Sequence, residues 1–200
     1  MEKKKILRHF EKIDPVLYAL AQRVDDFDIR PTRDYFLDLC EAIISQQLAE
    51  KVGTTICTRF RTLFGNTPIT ATLVLQTPHK KIRSIGTSNA KVLFIKDLAQ
   101  HIVDKRLQLE NIESLSHEEI IQELTQVKGI GPWTAEMFLI FSLGREDVFS
   151  CGDLGLQRAI QRAYKYKKER TQKQLEKLSK KWSPYRSYAC RILWESLELL

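Results

Sequence analysis

Two hundred residues and 23.3 kDa are enough to bury a core without metals or disulfides, which excludes a miniprotein scaffold. A hydrophobic share of 43% and a charged share of 28% are globular values and exclude overall disorder, and no uncharged apolar run approaches the ~20 residues that cross a bilayer. Lysine and arginine number 32 against 25 acidic residues, and the resulting +7 favours a polyanion, nucleic acid or anionic membrane, without specifying fold or chemistry.

The chain opens on MEKKKILRHFEKIDP, a basic start with no apolar stretch of the secretory kind, so an intracellular protein without a membrane partner is expected. Pro15–Val24 sets Val16, Leu17, Leu20, Ala21 and Val24 on one face, and Tyr35–Leu48 does the same with Phe36, Leu39, Ile43 and Ile44, so both predict core-facing helices. A third helix is predicted from Ala49 to Phe64, stopped by Gly65-Asn66. Two short ones follow over Thr70–Thr77 and Pro78–Ile85, opened by a threonine and a proline. After Gly86-Thr87-Ser88 comes a long amphipathic helix over Asn89–Asp104. Ser116 with Glu119 three residues on matches a capping box and starts a helix reaching about Val127. The remaining helices are predicted over Trp133–Ser142, Leu154–Tyr164, Thr171–Lys181 and Pro184–Leu200. Period-2 alternation is hard to find, so the expected fold is all-α with about ten helices. Cys40, Cys57, Cys151 and Cys190 form no C-x-x-C pair, so neither a zinc site nor an iron–sulfur loop is expected, only reduced and mostly buried thiols.

The segment Lys128-Gly129-Ile130-Gly131-Pro132-Trp133 breaks a helical pattern that resumes at once. Two glycines around one apolar residue make a tight hairpin whose backbone can approach another molecule. Pro132 suits the first turn of the following helix, whose free N–H groups and positive dipole end attract a phosphate, with Lys128 beside them. Taken alone, the same residues also fit an ordinary turn between helices.

The hairpin together with Asp147-Val148-Phe149-Ser150-Cys151-Gly152-Asp153-Leu154 resembles the helix-hairpin-helix (HhH-GPD) DNA glycosylases, which carry a Gly/Pro-rich loop and an essential aspartate. Ile43-Ile44-Ser45-Gln46-Gln47-Leu48, Ile82-Arg83-Ser84-Ile85-Gly86 with Lys91, and Trp182-Ser183-Pro184-Tyr185-Arg186-Ser187-Tyr188-Ala189 with Trp194 extend the likeness over residues 10–197, toward the 3-methyladenine DNA glycosylase II branch. The resemblance implies two helical lobes with a DNA-binding cleft between them. One lobe is expected near 35–130, the other from 1–34 and 131–200, with the helix-hairpin-helix near 117–142. It implies a short form of 1–200 without the amino-terminal β domain of longer relatives. The implied activity is base flipping in duplex DNA and hydrolysis of the N-glycosidic bond of alkylated purines, 3-methyladenine or 7-methylguanine, by a monomer associated with intracellular DNA in nucleoid or nucleus.

Roles follow residue by residue from the resemblance. Asp153 is the expected catalytic carboxylate, since bond breakage builds positive charge on the sugar; it also suits a helix N-cap. Asp147 is read as a turn or surface residue, and Arg186 as half of a structural ion pair. Lyase members place a lysine directly after the hairpin, where this chain has Trp133, so an imine cannot form and simple hydrolysis is implied. Trp133 and Trp194 are aromatic candidates for the base pocket, with Met137 where branch members carry a tyrosine; core packing is the competing reading of both tryptophans. Gln47, with Leu48 second, is the expected residue to enter the base stack. Lys128, Gly129, Gly131, Ser84 and Thr87 are the expected phosphate contacts. No cofactor is expected to be required, no iron–sulfur cluster and no zinc; a structural Na+ or K+ on the carbonyls of Thr125, Val127 and Gly129 is implied as in relatives. Two other readings stay open at this level: a non-catalytic damage-sensing hairpin module, and a glycosylase of this fold with another damaged base.

Overall fold

A computed structural model describes residues 2–199, so the expected extension of the last helix to Leu200 lies outside the described residues at its final position. Every regular element among the described residues is helical, and the chain divides into two compact units.

The first unit joins the amino-terminal stretch through Pro31 to the chain from Leu139 onward. It holds α1 (Glu2–Ile13) and α2 (Pro15–Ala21), then, from the other end of the chain, helices over Leu154–Ala163, Gln172–Ser179 and Arg186–Glu195. The amino-terminal helix was not expected. Its inward side is carried by Ile6 and Phe10, four residues apart and both buried, between lysines that mask the pattern. Phe10, Leu17, Phe27, Leu156, Ile160 and Trp182 close the core of this unit.

The second unit, Thr32–Phe138, contains α3 (Tyr35–Ser45), α4 (Glu50–Leu63), α5 (Ala71–Gln76), α6 (His79–Arg83), α7 (Asn89–Val103), α8 (His117–Leu124) and α9 (Pro132–Met137). Helix α7 is its spine, packed against α3, α5 and α6, with Val92, Ile95 and Leu98 fully buried. The Ser116 capping box forms with both reciprocal bonds, and Gly65 adopts the positive φ of 60° that ends the turn after α4. The division between units falls inside a single π turn, Phe138–Ser142, so Gly131–Phe138 belongs with Thr32–Phe138 and not, as expected, with the terminal lobe. The reason is local: α9 folds back on α8 and carries Thr134 into contact with the end of α3.

In the first unit the later helices are α10 (Leu154–Ala163), α11 (Gln172–Ser179) and α12 (Arg186–Glu195), followed by a short 3-10 turn at Ser196–Glu198.

Candidate functional site

In the first unit, Asp153 caps α10. Its Oδ1 accepts the Leu156 amide at 2.5 Å and the Trp194 indole N–H at 2.9 Å, so two donors fix the orientation of a half-exposed carboxylate. A side chain at Gly155 would place its Cβ 3.2 Å from that same oxygen and 3.7 Å from the Trp194 ring, which explains a glycine in the second position of the helix. Trp194 lies with its ring 5.9 Å from that of Phe141, and its N–H is committed to Asp153. The structure therefore gives this tryptophan a positioning task that its reading as a stacking surface did not include.

The loop leading to Asp153 is clamped to the start of α12. Arg186 Nε donates to Asp147 Oδ1 at 2.7 Å, Ser183 Oγ to Asp147 Oδ2 at 2.8 Å, and Ser187 Oγ to the Arg145 carbonyl at 2.6 Å while accepting the Val148 amide at 2.9 Å. Burial works to raise the Asp147 carboxyl, but the bonds from Arg186 and Ser183 outweigh it and hold it below the usual carboxylate range. Asp147 is thus an anchor and not a plain turn residue, and Arg186 forms the expected ion pair. Trp182 and Tyr185, with 0% and 6% exposure, are core.

In the second unit the hairpin is held from three sides. Gly129, at φ 85°, would drive a Cβ to 2.2 Å from the Phe94 ring, so its glycine serves close approach of α7 as well as the turn. Asp97 Oδ2 accepts the Lys128 amide at 2.9 Å. Gln46 Nε2 donates to the Gly129 carbonyl at 2.8 Å and to Thr134 Oγ1 at 3.3 Å. Gly131 differs: its backbone is extended and nothing lies within 4 Å of a Cβ placed there. Among the described residues the amides of Gly129 and Gly131 have no acceptor, which leaves them to an external anion. Lys128 is exposed, with its ammonium 3.9 Å from Asp97.

The carbonyl oxygens of Thr125, Val127 and Gly129 are the hard, neutral donors a monovalent cation takes. Val127 and Gly129 each already accept one N–H, from Ile130 at 3.1 Å and from Gln46, and a carbonyl keeps a second lone pair. No group of three or more His, Cys, Asp or Glu side chains that could hold a metal occurs among the described residues.

Helix α3 stops at Ser45, three residues short of the expected end. Lys91 Nζ caps it by donating to the carbonyls of Ile44 at 2.8 Å and Gln46 at 2.6 Å, and burial pushes that ammonium below the ordinary lysine range. Gln47 then takes a left-handed φ of 57°, and both Gln47 and Leu48 are exposed. Leu48, at 37% exposure, is not taken by the core. Gln46 and Lys91 therefore present the two side chains in a fixed turn tied to the hairpin. Sequence reasoning missed Gln46, Asp97 and Phe94 as supports of the hairpin, because each acts from at least 31 residues away.

Trp133 stands 45% exposed at the start of α9, and Met137, half-buried, follows one turn later on the same face. One expected phosphate contact is corrected. Thr87 is only 3% exposed with its hydroxyl buried, which takes the side chain out of reach. Ser84 is exposed, with its hydroxyl donating to the Lys81 carbonyl at 2.8 Å. Cys40, Cys57 and Cys190 are buried thiols that form no disulfide among the described residues, while Cys151 is half-buried. No helix among the described residues is long and apolar enough to cross a membrane.

Comparison with known proteins agrees with this geometry. Residues 40–184 match the HhH-GPD superfamily of base excision DNA repair proteins. The chain is 32% identical to DNA-3-methyladenine glycosylase 1 of Schizosaccharomyces pombe, over 96% of this chain and 86% of that protein. It is likewise 32% identical to a putative DNA-3-methyladenine glycosylase of Bacillus subtilis, over 82% of this chain but only 60% of the length of that relative. Among solved structures, the S. pombe 3-methyladenine DNA glycosylase in complex with abasic DNA superposes with a TM-score of 0.86 at 31% identity, covering 97% of each chain.

Proposed function

Because the chain belongs to the HhH-GPD superfamily of base excision DNA repair proteins, we propose that it is a monofunctional DNA glycosylase that removes 3-methyladenine- and 7-methylguanine-type bases from duplex DNA as a monomer, wherever the cell keeps its DNA. The observation that carries the reading is the carboxylate of Asp153, oriented by the Leu156 amide and the Trp194 indole in a chain with tryptophan, not lysine, at position 133.

As the bond between C1′ and the base nitrogen breaks, positive charge develops on the deoxyribose, and the ionised Asp153 stabilises it electrostatically. The same carboxylate orients a water that adds to C1′ and takes one of its protons, leaving a free base and an abasic sugar. An alkylated purine already carries positive charge, so it leaves without being protonated by the protein. That charge also makes the exposed indole of Trp133 a favourable partner, worth ~0.5–2 kcal/mol. Gln47, with Leu48 beside it, fills the gap left by the extruded nucleotide, and the Gly129 and Gly131 amides with Lys128 hold a backbone phosphate. A Na+ or K+ on the carbonyls of Thr125, Val127 and Gly129 would add positive charge beside that phosphate. No cofactor is part of the scheme.

The test is excision from duplexes carrying a methylated purine, uracil or 8-oxoguanine. Release of the methylated base, with strand breakage only after alkali, is expected. Breakage without alkali would overturn the monofunctional assignment, and excision confined to uracil or 8-oxoguanine would overturn the substrate class.

A further inference from the structure

The +7 of the chain is not spread over it. Residues 158–181 alone carry ten lysines and arginines against two glutamates, more positive charge than the whole chain nets, so the rest is close to neutral. All ten are exposed. Among the described residues Lys181 is the one of the ten that forms an ion pair, with Asp14 at 2.8 Å, and Arg170 is laid over the Tyr166 ring at 3.9 Å, itself stacked on Tyr164. Unpaired cations at this density repel one another, a standing cost that an external polyanion relieves.

The surface also has shape. Arg158 and Arg170 line one depression of about 140 Å³ between α10 and the segment before α11, with Gln157 and Gln161 as further donors and Glu169 as the single acid. Arg170 is shared with a second, more open depression of about 340 Å³ lined by Gln174, Lys177 and Lys181. Guanidinium and amide donors converging on small depressions fit phosphate oxygens. The first depression also has an apolar side, from Leu154, 64% exposed, with Ile160 and Leu175, and the second has one from Tyr166, Leu175 and Leu178. The dense positive charge around them fits a nucleic-acid backbone, whose binding is driven by release of counterions.

Helix α10 connects this surface to the candidate catalytic residue. Asp153 caps its first turn, and ten residues, ~15 Å of helix, separate that carboxylate from the centre of charge beyond Ala163. We propose that residues 158–181 form a second DNA-binding surface, distinct from the Asp153 region, that grips the phosphates of undamaged duplex and supplies most of the non-specific affinity of the protein. The inference rests on the reading of DNA as the polymer this protein acts on, and not on the chemistry at Asp153.

The experiment compares two variants with equal loss of charge: K167Q/K168Q in the connection before α11, and K4Q/K12Q on exposed positions of α1. Binding of an undamaged duplex is titrated from 50 to 200 mM salt. For K167Q/K168Q the slope of log affinity against log salt should fall by about two, with affinity down roughly fivefold to tenfold near 100 mM, while K4Q/K12Q stays near the parent. Single-turnover excision from a short lesion duplex at saturating enzyme should be unchanged in both. Equal effects of the two variants would reduce the matter to bulk charge and overturn the proposal. No change in K167Q/K168Q, repeated with K173Q/K177Q, would overturn it as well and leave the surface to an acidic protein. If the parent itself bound no duplex, the DNA reading would fall and this proposal with it, whereas duplex binding by the parent with unchanged variants sinks the proposal alone.

Discussion

Asp14 and Asp153 stand at the starts of α2 and α10 in nearly the same local setting. Each caps its helix by accepting the amide three residues on, from Leu17 at 3.2 Å and Leu156 at 2.5 Å, and each accepts a tryptophan N–H, from Trp182 at 2.8 Å and Trp194 at 2.9 Å. They part in their surroundings. Asp14 is 1% exposed, takes the Tyr164 hydroxyl at 2.5 Å and pairs with Lys181, so both of its oxygens are consumed inside the fold. Asp153 is half-exposed, and the two donors described above meet on one oxygen. A capping aspartate bonded to an indole is therefore not by itself a mark of catalysis. Solvent access is what suits one of the two to chemistry.

The sharpest break of the comparison is the same substitution at both positions. Asp153→Asn keeps a capping oxygen but loses the charge that opposes the developing cation, so excision should fall by ~10²–10³ or more with the melting temperature nearly unchanged. Asp14→Asn leaves Lys181 and the Tyr164 hydroxyl facing a neutral amide in the core. It should cost ~2–4 kcal/mol of stability, read in denaturant unfolding, while excision per folded molecule is retained. Near-normal excision by the first variant, or selective loss of excision by the second, would reverse the assignment.

Acid sharpens the same contrast. Burial acts to raise the Asp14 carboxyl, but Lys181, Tyr164, Trp182 and the Leu17 amide together hold it below the ordinary aspartate value of about 3.9. The unfolded chain then binds the proton more readily. The stabilisation from this carboxylate is fully present above pH ~4 and is lost as pH falls through the lower folded value. Melting measured from pH 7 to pH 3 should show the parent falling toward the Asp14→Asn variant, with the gap between them narrowing below pH ~4.

What could be read from the amino-acid order follows the range of the interaction. Helices with apolar positions three and four apart, the Ser116–Glu119 box and the Gly65 stop depend on neighbours within one or two turns, and they form as expected. The Asp153 cap was legible for the same reason. The end of α3 was not, because Lys91 imposes it from 45 residues away and Gln47 takes a left-handed φ that no glycine or asparagine announces. The glycine at 129 was legible as a turn, but its second reason, the Phe94 ring, lies on another helix. The role of Trp194 was half legible: an aromatic near the end of the chain suggested a base pocket, while the bond that orients Asp153 spans 41 residues.

That bond supports the finest test. Trp194→Phe keeps an aromatic ring beside Phe141 and removes only the N–H that orients the carboxylate. Trp182→Phe does the same to Asp14, which retains three other donors. If the indoles serve the ends the two aspartates suggest, Trp182→Phe should lower stability by ~2 kcal/mol, combining a lost buried hydrogen bond with the space left in a fully buried site, and leave kcat untouched. Trp194→Phe, at a partly exposed site, should cost no more than ~1 kcal/mol of stability but lower single-turnover excision about tenfold, equivalent to ~1.4 kcal/mol in the barrier, with affinity for an abasic duplex preserved. A loss of duplex affinity in place of rate would instead make Trp194 a binding surface, restoring its reading as part of the base pocket.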